Sequence, residues 1–174
     1  MSWKEYPQLD EKLFTRRLSN GLTVIVVPKP GFSRSVAYFA TDFGSLHTDF
    51  VLEGKRYHVP AGVAHFLEHK LFEMPQGDVT PKFAALGGRV NAFTSFDMTA
   101  DYFSCTNHLM ENLRLLLEFV STPYFTQESV EREWGIIDQE IAMNEDDPGS
   151  REFFTLMDRM YRSHPVRVEV LGSR

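Results

Sequence analysis

Gly62-Val63-Ala64-His65-Phe66-Leu67-Glu68-His69 is the stretch on which the reading of this chain turns. It lies in a run from Ala61 to Glu73 that predicts a helix, stopped by Pro75 and Gly77. Taking about 100° of rotation per residue and setting His65 at zero, Glu68 falls at about 300° and His69 at about 40°, so the three polar side chains share one face of about 100°. Two imidazoles four residues apart stand one turn from each other, a spacing at which both can hold one tetrahedral zinc ion. Glu68 sits beside them without being needed as a ligand, where a general base for a water molecule belongs. The opposite face carries Val63, Ala64, Leu67 and Leu71, with Phe66 at its margin and Phe72 close to the polar trio. A helix apolar nearly all round is expected to be buried. Two histidines and a carboxylate are costly to bury without partners, and a bound cation removes that cost. Core histidines satisfied by hydrogen bonds, with Glu68 paired elsewhere, are the non-functional alternative.

Catalytic zinc sites take three protein ligands and leave one position open. Carboxylates on a long downstream helix, from about Glu128 to Asn144, are the candidates. Its apolar residues Val130, Trp134, Ile137 and Ile141 define a stripe; with Val130 at zero, Glu133 lies at about 300° and Glu140 at about 280°. Both border the stripe, two turns and about 10 Å apart. Helix geometry narrows the choice to these two and leaves it open, and both could instead rim a solvated face beside Arg132.

Outward from these helices the chain is mixed. Asn20-Gly21 marks a turn between two β-rich segments, so Leu22 to Val27 is expected to pair with the residues before Asn20 as a hairpin. Ser35 to Thr41 predicts a second strand, and Asp49 to His58 a polar connection. Thr80-Pro81 opens a helix that ends at Gly87-Gly88. Arg89 to Thr94 and Thr99 to Thr106 predict strands; Leu109 to Phe119 and Arg151 to Tyr161 predict helices. Strands and helices without regular alternation indicate an α+β fold, a largely antiparallel sheet covered by helices. Val166 to Leu171 is expected to begin another strand that stops at Gly172-Ser173-Arg174, as in a domain truncated at its C-terminal end.

Composition sets the outer limits. The net charge of -6 offers no basic surface for phosphate backbones, so nucleic acid is not an expected partner. Fifteen phenylalanines supply ample core material and argue against disorder. Cys105 is the only cysteine, which excludes an intrachain disulfide, and its place in a strand suggests core rather than nucleophile. The first residues lack the apolar run of a secretory signal, and no apolar stretch is long enough to span a membrane. A cytoplasmic protein is the expectation. His47, His58, His108 and His164 fit no ligand spacing.

Four segments, in order, resemble the insulinase, pitrilysin and mitochondrial-processing-peptidase family of zinc metalloendopeptidases, peptidase family M16. They are Leu18-Ser19-Asn20-Gly21-Leu22-Thr23-Val24, the Gly62–His69 stretch, Gly88-Arg89-Val90-Asn91-Ala92-Phe93-Thr94, and Glu133-Trp134-Gly135-Ile136-Ile137-Asp138-Gln139-Glu140. Their wording is most similar to small bacterial members. The resemblance implies a half-domain of the M16/LuxS-like type, residues 1–174 being the N-terminal catalytic half. It implies Zn²⁺ held by His65, His69 and Glu140, with Glu68 as general base and Glu133 as a supporting acid. It further implies that an extended peptide substrate adds to the edge strand Asn91-Ala92-Phe93-Thr94 by β-augmentation. A second homologous half, in the same full-length chain or a partner subunit, completes the chamber in such proteins, so the 174-residue piece alone is expected to be inactive. Two other readings compete: a non-catalytic chamber half, which has no need of Glu68, and a LuxS-like metal-dependent lyase, which would employ Cys105.

Overall fold

The computed structural model describes residues 2–173. It divides into two compact units, Met1–Arg34 and Ser35–Arg174.

The first unit is a three-stranded antiparallel sheet in the order β1 (Ser2–Tyr6), β2 (Glu11–Arg17), β3 (Thr23–Val26). The β2–β3 hairpin follows the Asn20-Gly21 signal. Gly21 takes φ 92°, a conformation that an L side chain rarely tolerates, and the Asn20 side-chain oxygen accepts from the Leu22 amide at 3.1 Å. β1 was not visible in the sequence pattern.

The second unit contains β4 (Ser35–Thr41), a hairpin of β5 (Asp49–Leu52) and β6 (Lys55–His58), and α1 (Val63–Leu71). It continues with a short hairpin of β7 (Glu73–Met74) and β8 (Gly77–Asp78), then α2 (Thr80–Ala85), β9 (Gly88–Thr94) and β10 (Thr99–Cys105). The helices α3 (Leu109–Ser121), α4 (Gln127–Asp146) and α5 (Pro148–Met160) complete it. β10 pairs antiparallel with both β4 and β9, giving the order β4-β10-β9. Every strand pair is antiparallel, as an α+β chain with this pattern requires.

The core lies between this sheet and helices α2 and α3. Phe83, Phe103 and Phe119 are fully buried there with Leu116, Val79, Met74 and Cys105. Strand alternation sends Thr99, Asp101, Phe103 and Cys105 of β10 to one face, and all four are buried. Tyr102 faces the other way, stacked on Tyr38 at 4.8 Å between ring centroids.

Two stretches depart from the sequence reading. Residues 49–58 are a hairpin rather than a plain connection: Glu53 (φ 51°) and Gly54 (φ 78°) form its turn, and Phe50 stacks on Tyr57 across the strands. Residues 166–171 form no strand. Pro165–Arg167 is a single 3₁₀ turn, His164 Nδ1 accepts from the Val166 amide, and Arg167 ties back to Asp158 of α5. The segment then runs to the entrance of α1, where Gly62 (φ 86°) packs on the backbone of Leu171 and Gly172, leaving no room for a Cβ.

Candidate metal centre

α1 lies over the polar end of the sheet, and its buried residues are Ala64, His65, Glu68 and Lys70. The helix thus buries its polar residues more completely than its apolar face, where Val63, Leu67 and Leu71 are only half-buried. Opposite it runs α4, whose N-terminus is fixed by a reciprocal cap: Thr126 accepts from the Ser129 amide, and Ser129 accepts from the Thr126 amide, both at 3.1 Å. The inward stripe of α4 differs from the sequence expectation. Trp134 is 72% exposed, while Ser129, Ile137 and Ile141 are buried. Glu133 and Glu140 face α1, Glu133 largely buried and Glu140 half-buried, because the polar face of α1 is what α4 meets.

His65, His69 and Glu140 come together, one ligand atom from each lying within 4.8 Å of the others. Glu140 Oε2 is 3.7 Å from His65 Nε2 and 3.5 Å from His69 Nε2. A tetrahedral zinc with bonds of about 2.0–2.1 Å requires ligand separations of about 3.3–3.4 Å, and the two carboxylate–imidazole separations exceed that by only a few tenths of an ångström. The donor set suits the ion. Burial, and then the proximity of His69, press the His65 pKa down to about 4, so its ring is neutral with a lone pair available. His65 Nδ1, the ring nitrogen other than the one beside Glu140, has no hydrogen-bond partner among the described residues, a cost that a metal at Nε2 would not itself offset.

Glu133 is the acid that the sequence could not separate from Glu140. Its Oε1 stands 2.7 Å from His69 Nδ1, so it grips the ring on the side away from Glu140. A carboxylate in this position fixes the tautomer and makes Nε2 the better donor. Arg132 instead pairs with Glu73, which removes the solvated-face alternative for Glu133.

Glu68 is held by the Thr94 hydroxyl, which donates to its Oε2 at 2.6 Å. Burial raises the Glu68 carboxyl pKa above its ordinary value; the Thr94 bond and His69 oppose that rise, while Glu140 adds to it. Beneath α1, Asp101 is raised to about 7 by burial and by Glu68. Residue type and strand position gave no signal for Asp101 in advance.

β9 forms one edge of its sheet. By register, Ala92 and Thr94 share the site's face with Asp101 and Thr99, whereas Asn91 and Phe93 pair with Tyr102 and Ala100 on the other. Asn91 and Ala92 line an open cleft of about 630 Å³, together with Glu68, His69, Phe72, Asp78, Arg132 and Glu133. Cys105 belongs to the apolar core, where burial raises its thiol pKa, so it offers no thiolate to the site. No described helix is long and apolar enough to cross a membrane.

The family model for insulinase, peptidase family M16, matches residues 50–174. The chain is 50% identical over 171 residues to a Bacillus subtilis protein named as the uncharacterized zinc protease YmfH, covering 97% of this chain and 40% of that one. A crystal structure described as an M16-like peptidase from Alicyclobacillus acidocaldarius superposes with a TM-score of 0.91 at 44% identity, covering 98% of this chain and 40% of that chain. A protease structure from Helicobacter pylori shares the fold at a TM-score of 0.80 and 24% identity. The chain therefore spans about 40% of the length of these relatives. With both the sequence match and the fold in agreement, the chain belongs to the insulinase family, peptidase family M16.

Proposed function

We propose that the chain is the zinc-binding half of an endopeptidase that hydrolyses extended peptides, with His65, His69 and Glu140 as metal ligands and Glu68 as general base. The convergence of two imidazoles and one carboxylate on a point beside an open cleft carries the reading. The names of the relatives, zinc protease and M16-like peptidase, support it.

When bound, zinc supplies a Lewis acid that lowers the pKa of a water and polarises the scissile carbonyl. The chain's own groups do the rest. Glu133 keeps His69 in the tautomer that presents Nε2. The Thr94 hydroxyl occupies one oxygen of Glu68 and leaves the other to accept the proton of the attacking water. A carboxyl whose pKa burial holds above its ordinary value both takes that proton and returns it to the leaving amine. The β9 edge, Asn91, Ala92, Phe93 and Thr94, offers an extended peptide the backbone groups that point away from β10, which holds the scissile bond across the cleft. A second homologous half closes the chamber over the bound peptide and completes the active protein.

Glu68→Gln in the full-length protein tests this. Zinc content is expected to persist while hydrolysis of an unfolded peptide falls by about 10²–10⁴-fold, the usual contribution of a general base. Unchanged behaviour would identify a chamber half without catalysis.

A further inference from the structure

We propose that Lys70 is a positioning residue for the metal centre: its buried ammonium group locks the register of α4 against α1 and so holds Glu133 and Glu140 at the two histidines. The inference rests on the zinc-site reading above.

Lys70 is fully buried, a rare state for lysine. Its Nζ donates to Glu73 Oε2 at 2.5 Å and to Ser129 Oγ at 2.8 Å, and it lies 6.0 Å from the centre of the Phe125 ring. Ser129 is itself buried and is part of the cap that starts α4. The other oxygen of Glu73 accepts from Arg132 at 2.8 Å. A chain of charge and hydrogen bonds therefore leaves α1 at Lys70 and reaches α4 at two points one turn apart, Ser129 and Arg132. The next residue is Glu133, and Glu140 follows two turns later on the same face.

Register is what such a clamp controls. A one-residue slip of α4 moves it by about 1.5 Å and turns it by about 100°, which would carry both carboxylates away from the imidazoles. Apolar packing of Ile137 and Ile141 resists separation of the helices but discriminates weakly between neighbouring registers. A buried cation bonded to one serine does discriminate, because a slip breaks that bond and leaves a buried ammonium with Glu73 alone. Desolvating an ammonium group is costly, and a methionine would fill the same space. The best-attested use of a buried charge is to specify register, and here the residues placed by that register are the ones the site needs.

The test compares wild type, Lys70→Met and Ser129→Ala in the full-length protein, with Phe103→Leu as a core control remote from α4. Zinc affinity is measured by competition with a chromophoric chelator, and thermal unfolding is followed on the metal-free forms. Lys70→Met is expected to lose about 10–100-fold in zinc affinity, the range for groups that orient metal ligands. Ser129→Ala is expected to lose less, and the double variant no more than Lys70→Met alone, since both act through one contact. Phe103→Leu should lower the melting temperature without weakening zinc. Wild-type affinity in Lys70→Met overturns the proposal, as does wild-type affinity in Ser129→Ala if Lys70→Met does not fold. A wild-type protein that binds no zinc overturns the metal reading itself, a separate result.

Discussion

Strand β10 sends four side chains to the helix-covered face of its sheet, and halfway along their chemistry changes. Cys105 and Phe103 sit in a cluster of phenylalanine, leucine and methionine side chains. Asp101 and Thr99 are buried to a similar degree, yet they lie under the polar face of α1, beside Glu68 and Thr94. Backbone, register and burial are alike at the two ends; their roles differ. The apolar end gains stability from every side chain removed from water. At the polar end, an unpartnered carboxylate oxygen on Asp101 and an unpartnered ring nitrogen on His65 each cost stability. A fold keeps costly polar groups where a site uses their neighbours: His65 turns Nε2, its other ring nitrogen, to Glu140.

Breaking the apolar end should give the largest change in stability. Phe103→Ala is expected to destabilise the protein by about 3–5 kcal/mol through the cavity it leaves, measured by denaturant unfolding. If it folds, its zinc affinity should match wild type.

Glu133→Ala should show the reverse profile. It removes the carboxylate that grips His69 and is expected to weaken zinc binding by about 10–100-fold. Chelator competition reads this directly, and the melting temperature of the metal-free form should move little.

Asp101→Asn sharpens the comparison by pH. In the folded protein Asp101 keeps its proton up to about pH 7, against 3.8 for an ordinary aspartate. Its contribution is thus fully present below about pH 4 and is lost as pH rises through about 7. Asparagine has no proton to lose. Relative to wild type, the metal-free variant should gain about 1–3 kcal/mol at pH 8 and nothing at pH 4. Equal differences at both values would mean that Asp101 is not held protonated. Burial of neutral His65 acts in the opposite sense, its contribution fading as pH falls from 6.5 through about 4, and it cancels between the two proteins.

What the sequence disclosed follows the range of its signals. His65, Glu68 and His69 share one helical turn, so rotation per residue alone places them together. The β2–β3 hairpin was legible for the same reason: the Asn20-Gly21 turn signal and its flanking strands are local. Glu133 and Glu140 were narrowed by periodicity but separated only by resemblance, since what distinguishes them is where each meets α1. The α4 stripe was misjudged at Trp134 because apolar content alone cannot show which face a neighbour covers. Lys70 gave no signal at all, for its partner Ser129 lies 59 residues away. The strand expected at 166–171 has β-prone residues, but Pro165 and the Arg167–Asp158 pair draw it into a turn.

The central claim is that His65, His69 and Glu140 form one zinc site. Its most direct test is the metal content of the purified full-length protein beside that of Glu140→Ala, by elemental mass spectrometry after dialysis against metal-free buffer. One zinc per chain in wild type, largely lost in the variant, is the predicted result. Wild-type protein without stoichiometric zinc, or a variant that retains it in full, would contradict the account.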